Sequence, residues 1–129
     1  GKADGLVKAM EQANFVYLHV EAPDESGHQG RLDYKLQSIE DFDSMVVGSV
    51  VNMLNRFDDY TVLVMPDHPT PLSIKTHTDD PVPFCVYSKN STPKPDASGL
   101  TFTERSASST GLMVDEAHTL LEKIVQNSI

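Results

Sequence analysis

Tryptophan is absent from this chain of 129 residues, and cysteine occurs once, as Cys85. A lone thiol excludes an intramolecular disulfide framework and points to a reducing compartment. Set between Phe84 and Val86, Cys85 reads as a small buried hydrophobe. Positive charge is scarce: 10 Lys and Arg stand against 19 Asp and Glu, giving a net charge of −9. With no basic stripe to neutralise phosphates, nucleic acid is excluded as a partner. Much of the acidity reads as solubilising surface. No apolar run approaches the ~18 residues of a membrane span, and the first residues lack the apolar stretch of a secretion signal. The expectation is a cytoplasmic protein with no membrane partner. Internal repeats and low-complexity tracts are also missing. What remains is ordinary for a globular chain, 39% hydrophobic and 22% charged, and long enough for one domain with a core.

Three stretches carry the chemistry. An apolar run, Phe15 to Val20, reads as a strand and leads into Glu21-Ala22-Pro23-Asp24-Glu25-Ser26-Gly27-His28-Gln29-Gly30. Pro23 and Gly27 suggest a shaped loop there, since one fixes φ and the other permits φ > 0. Asp24 and His28 would then sit on a loop at a strand's C-terminal end, where open α/β sheets place ligand-handling groups. A second apolar run, Tyr60 to Met65, ends in Pro66-Asp67-His68-Pro69-Thr70-Pro71. Its prolines stiffen the loop and lower the entropy cost of holding ligands. The third stretch, Lys75-Thr76-His77-Thr78-Asp79-Asp80-Pro81-Val82-Pro83, precedes the short apolar run Phe84 to Tyr87. Asp24, His28, Asp67, His68 and His77 are all nitrogen or oxygen donors, without a thiolate. That set favours Mn²⁺, Zn²⁺ or Mg²⁺ over a sulfur-bound structural zinc. His19 reads as a packed or supporting histidine rather than a ligand.

The patterns His-Val-Glu-Ala-Pro-Asp-Glu-Ser-Gly-His-Gln-Gly, Pro-Asp-His-Pro-Thr-Pro and Thr-His-Thr-Asp-Asp-Pro-Val-Pro-Phe resemble the archaeal-type, cofactor-independent phosphoglycerate mutases of the alkaline phosphatase-like metalloenzyme superfamily. The resemblance runs from Phe15 to the final helix and matches only the C-terminal part of that family, so residues 1–129 read as the C-terminal portion of its metalloenzyme domain. It implies a two-metal site and no organic cofactor. Asp24, His28 and His77 match the three ligands of one ion, and Asp67 and His68 match two ligands of the other. The remaining ligands, an Asp and the nucleophilic Ser, belong to an N-terminal segment with no counterpart here, so no catalytic residue is expected in this chain. The implied reaction interconverts 3-phosphoglycerate and 2-phosphoglycerate through a phosphoserine, with a small phosphorylated molecule as substrate. Two alternatives stay open: a proposed homoserine kinase of the same family, and a metal-binding domain without turnover.

The rest of the chain supplies scaffold. Lys2 to Gln12 reads as a short helix. Arg31 to Phe57 carries the strongest periodicity, with Leu32, Leu36, Ile39, Val46, Val50 and Leu54 at helical spacing, the mark of an amphipathic helix whose stripe is core. It would return the chain across the sheet so that the next strand runs parallel. Gly48 marks a place for a kink or close crossing. Ser88 to Gly99 is polar and turn-rich, Leu100 to Glu104 reads as extended, and Arg105 to Gly111 as a small polar loop. A helix is expected from Leu112 to Gln126. This order predicts a layered α/β/α fold with a mainly parallel sheet. An unpaired sheet edge would offer a route to a homo-oligomer.

Overall fold

Residues 1–90 and 99–126 are described by the computed structural model; of the polar connection read over Ser88 to Gly99, residues 91–98 lie outside the described residues. The chain divides into two compact units, Gly1–Lys94 and Pro95–Ile129.

In the first unit, α1 (Lys2–Met10) forms where the periodicity predicts it. After it the apolar run Phe15 to Val20 is irregular backbone and not a strand, and Phe15 and Tyr17 are 60% and 72% exposed. The chain then enters α2 (Ala22–Gln29). A helical run follows in three parts: α3 (Leu32–Asp41), a π-helical segment (Phe42–Val47) and α4 (Gly48–Leu54). In the π-helical segment the Gly48 N–H reaches back five residues to the Asp43 carbonyl, a wider turn than the α-helix allows.

The apolar stripe of this run divides in two. Val50, Leu54 and the nearby Tyr60 are buried and form the core, with Leu6, Met10, Phe57 and Val62 packed against them. Leu32, Leu36 and Ile39 are instead exposed, which corrects the expectation that the whole stripe is core. Burial requires a facing element, and α3 packs against α2 but leaves its apolar residues uncovered among the described residues. Arg56 and Glu11 pair at 2.8 Å and tie the end of α4 to the end of α1.

Strands β1 (Thr61–Val64) and β2 (Cys85–Ser88) pair antiparallel, with Thr61 opposite Ser88 and Val64 opposite Cys85. Among the described residues the sheet consists of this antiparallel pair, a small sheet consistent with a fragment of the larger α/β fold expected from the sequence. Parallel neighbours need a crossover, usually helical; the connection over 65–84 is proline-rich and has no helix, so the chain comes back alongside β1. Cys85 is exposed rather than buried, because side chains alternate along β2 and the face that carries Cys85 and Tyr87 is open.

In the second unit α5 (Glu104–Ser109) occupies the stretch expected to be a loop. Thr103 caps it, its side chain accepting from the Ser106 N–H, and the small residues that follow tolerate a helix once it is capped. Gly111, at φ 71°, takes the chain out in a left-handed turn. The last helix therefore starts later than predicted, as a 3₁₀ turn (Ala117–Thr119) running into α6 (Leu120–Val125).

Leu54 is 2% exposed at the centre of the core. Leu54→Ala should cost about 2–5 kcal/mol, since the site cannot fully collapse around the lost methyls. Denaturant unfolding followed by circular dichroism measures it, and a loss under about 1 kcal/mol would contradict the placement of the core.

Candidate metal centre

Asp24 and His28 lie on α2, not on the loop that Pro23 and Gly27 suggested. Pro23 stands in the first turn, where its missing N–H has no intrahelical partner to lose. Gly30, at φ 68°, ends the helix, its N–H donating to the Gly27 carbonyl while the Arg31 N–H reaches the Ser26 carbonyl. This is the Schellman pattern of a helix closed by glycine. Spacing of four then sets Asp24 and His28 one above the other on one face.

Gly27 has a separate purpose. A Cβ there would stand 2.7 Å from the Thr70 carbonyl oxygen and 2.8 Å from its Cγ2. Only a residue without a side chain lets the proline-rich loop press onto α2 at this point. The contact brings the second and third sequence stretches against the first. The loop is further pinned by the Thr78 N–H, which donates to the Pro69 carbonyl at 3.2 Å, and by Lys75, whose N–H donates to the Pro71 carbonyl at 2.9 Å. Lys75 is held at φ 55°, an uncommon conformation for a residue with a side chain.

Three donors meet where these elements touch. His28 Nε2 lies 3.0 Å from His77 Nε2 and 3.3 Å from Asp24 Oδ2, and His77 Nε2 lies 3.3 Å from Asp24 Oδ1. His68 stacks on His77 with ring centroids 3.6 Å apart. One ligand atom each from Asp24, His68 and His77 also falls within 4.8 Å of the other two. Asp67 stays beside its neighbour, its Oδ1 accepting the His68 N–H and its Oδ2 lying 3.4 Å from His68 Nε2. All five residues singled out from the sequence thus belong to one neighbourhood, with Asp24, His28 and His77 forming the tightest group. His19 stacks on Tyr17 and lines a cavity of about 320 Å³ together with Asp24, Glu25, Asp67 and His68.

Two residues of this neighbourhood had no role in the sequence reading. The Lys75 carbonyl lies 2.9 Å from His28 Nδ1 and can only accept, so Nδ1 carries the proton and Nε2 presents a lone pair. The Thr70 hydroxyl donates to Asp24 Oδ1. A main-chain carbonyl leaves no mark in a residue pattern. Thr70 was visible only as the threonine between two prolines.

The donor set fits a divalent cation. His28 Nε2 offers a lone pair, Asp24 offers carboxylate oxygens, and no Lys or Arg ion pair reaches Asp24 among the described residues. An ion with ~2.0–2.1 Å bonds holds tetrahedral ligand atoms about 3.3–3.4 Å apart, close to the spacings found here. The Thr70 hydroxyl holds the Asp24 carboxyl below the usual carboxylate range; partial burial opposes this, and the neighbouring imidazoles add to it.

Three comparisons bear on this geometry. The family model described as "Metalloenzyme superfamily" matches residues 1–127. A probable 2,3-bisphosphoglycerate-independent phosphoglycerate mutase of Geobacter sulfurreducens is 46% identical over 125 residues, covering 97% of this chain and 31% of that protein. A 2,3-bisphosphoglycerate-independent phosphoglycerate mutase of Methanosarcina barkeri is 43% identical over 127 residues, covering 98% of this chain and again 31% of the relative. Among solved structures, the PH0037 protein from Pyrococcus horikoshii superposes with a TM-score of 0.70 at 27% identity, over 84% of this chain and 31% of its own. The chain therefore spans about 31% of the length of these curated relatives.

The depressed Asp24 carboxyl sets the sign of an acid dependence. A group ionised more readily in the folded chain adds stability that is complete above the unfolded carboxylate range, and that is lost as pH falls below about 4. With a chelator present, the gap in melting temperature between wild type and Asp24→Asn should be widest near neutrality and narrow from about pH 5 to about pH 3. A gap that ignores pH would rule out a charge-dependent role for this carboxylate.

Proposed function

The chain belongs to the Metalloenzyme superfamily, and on that premise we propose that residues 1–129 are the C-terminal part of a metal-dependent phosphoglycerate mutase and supply most of its metal ligands. The observation that carries this reading is the meeting of Asp24, His28 and His77 at 3.0–3.3 Å from two distant stretches of chain. The names of its relatives in Geobacter sulfurreducens and Methanosarcina barkeri supply the reaction.

Asp24, His28 and His77 hold one divalent ion, and Asp67 with His68 contributes to a second. Mn²⁺ and Zn²⁺ suit the donors best, with Mg²⁺ as a weaker match to the imidazoles. Bound there, such ions stabilise negative charge on phosphoryl oxygens and on the attacking and leaving groups. The imidazoles act as ligands and not as general bases. The Lys75 carbonyl keeps the His28 proton on Nδ1, which frees Nε2. The cavity lined by His19, Glu25, Asp67 and His68 is open to a small phosphorylated molecule once metal charge offsets its acidic wall. The reaction proceeds through a phosphoserine, on a serine contributed by the part of the relatives that this chain does not cover. Interconversion of 3-phosphoglycerate and 2-phosphoglycerate needs no organic cofactor, nucleic acid or membrane. We place it in the cytoplasm, in keeping with the single cysteine and with the absence among the described residues of a helix long and apolar enough to cross a membrane.

Calorimetry of the 129-residue chain with Mn²⁺ or Zn²⁺ at neutral pH should give about one tightly bound ion, weakened at least ~10-fold by His77→Ala. Binding should fall on acidification, because protons compete for the same lone pairs. Absence of binding by the wild type would remove the metal assignment. A protein carrying this chain at the full length of its relatives should interconvert the two phosphoglycerates, while the 129 residues alone should not. Phosphorylation of homoserine instead would redirect the substrate assignment.

A further inference from the structure

Thr70 is 5% exposed, among the most buried polar residues described. It is held from several sides without help from any ion. Its carbonyl oxygen accepts from Lys35 Nζ at 2.6 Å. Its carbonyl oxygen, Cβ and Cγ2 fill the notch where Gly27 has no side chain. The neighbouring residues Pro69 and Pro71 fix φ on either side. What this clamp delivers is a hydroxyl at a set position between two ligand residues.

The hydroxyl has a single proton, and it is donated to Asp24 Oδ1. Towards His68 Nδ1, 3.4 Å away, the same oxygen can then only accept. At the other ring nitrogen Asp67 Oδ2, 3.4 Å from His68 Nε2, can also only accept, so Thr70 and Asp67 ask for a proton on opposite nitrogens of His68. What the Thr70 hydroxyl sets is the orientation of Asp24. The Lys75 carbonyl does the equivalent for His28 from the main chain.

Resting on the metal reading above, we infer that Thr70 is a positioning residue for the metal centre, whose hydroxyl orients Asp24. The competing view gives Thr70 a packing role only, with its methyl group filling the space at Gly27. The two views assign the effect to different atoms of the same side chain, and so they can be separated.

Three variants of the 129-residue chain, titrated with Mn²⁺ by calorimetry and melted in parallel, decide between them. Thr70→Val keeps the shape and loses the hydroxyl; it should bind Mn²⁺ ~10-fold or more weakly while melting cooperatively. Thr70→Ser keeps the hydroxyl and loses the methyl; it should bind within about 3-fold of wild type even where its melting temperature falls. Thr70→Ala replaces the valine variant if that variant fails to fold. Affinity that follows the methyl instead of the hydroxyl overturns the inference. Wild-type binding with an unchanged Thr70→Val affinity overturns it and leaves the metal reading intact. No binding by wild type takes down both.

Discussion

The arrangement depends on three polar side chains being brought to within 3.0–3.3 Å of one another from distant stretches of chain. The Lys75 carbonyl takes the His28 proton on Nδ1, so its Nε2 looks toward His77 Nε2 at 3.0 Å and toward an Asp24 oxygen at 3.3 Å. His77 Nε2 stands within reach of both the His28 nitrogen and an Asp24 oxygen, and among the described residues no lysine or arginine is paired with Asp24. Left to themselves these side chains would turn outward to water. They stay because each is held by structure that has other reasons to exist: the glycine-closed α2 for Asp24 and His28, and the loop pinned at Pro69 and Pro71 for His68 and His77. A frame of this kind holds the donors at their spacing by packing and not by what they bind.

How much of this could be read in the residues differs from one element to the next. Asp24 and His28, four apart, suit both a helix face and a loop. Pro23 and Gly27 favour a loop. The stronger signals were a proline allowed in a first turn and Gly30 as a terminator, since each has a mechanism tied to one end of a helix. Asp67, His68 and His77 are legible because Asp and His recur in the polar stretches beside strand-like apolar runs. The Lys75 carbonyl is not, because every residue has one. Thr70 meets Asp24 from 46 positions away, and no local periodicity encodes a contact of that range. α1 and the helical run from Leu32 to Leu54 were legible because a 3.6-residue period is a local property.

The misread surfaces share one cause. A periodic pattern records that a face is suited to burial, not what buries it. Leu32, Leu36 and Ile39 keep helical spacing yet stand exposed on α3, while Val50 and Leu54 further along the same run are covered. The difference lies in the neighbours: α4 meets α1, whereas the helix that α3 packs against is the short α2. Phe15 to Val20 has a strand's composition without a ladder, and Cys85 sits on the open face of a two-stranded sheet. Curated relatives, of which this chain spans about 31%, are 43–46% identical over nearly its whole length, and the small sheet is consistent with a fragment of a larger α/β fold.

Helix and loop divide the work of the centre unequally. α2 sets the Asp24 to His28 spacing by its own pitch, at no cost beyond forming the helix. His68 and His77 come from irregular backbone, where position has to be imposed by other means. Five prolines between Pro66 and Pro83 reduce the freedom lost on folding. Lys75 at φ 55° accepts a strained conformation that turns its carbonyl to His28. Gly27 lets the two parts close to contact. An added Cβ there would meet the Thr70 backbone, which cannot yield like a flexible side chain, so the loop would have to move away from α2. Thr70 would move with it, taking its hydroxyl from Asp24 and displacing the stretch that carries His77. The absent side chain of Gly27 is in this sense as much a part of the centre as the imidazoles, because the distance between His28 and His77 is set where the loop touches the helix and not at the rings themselves.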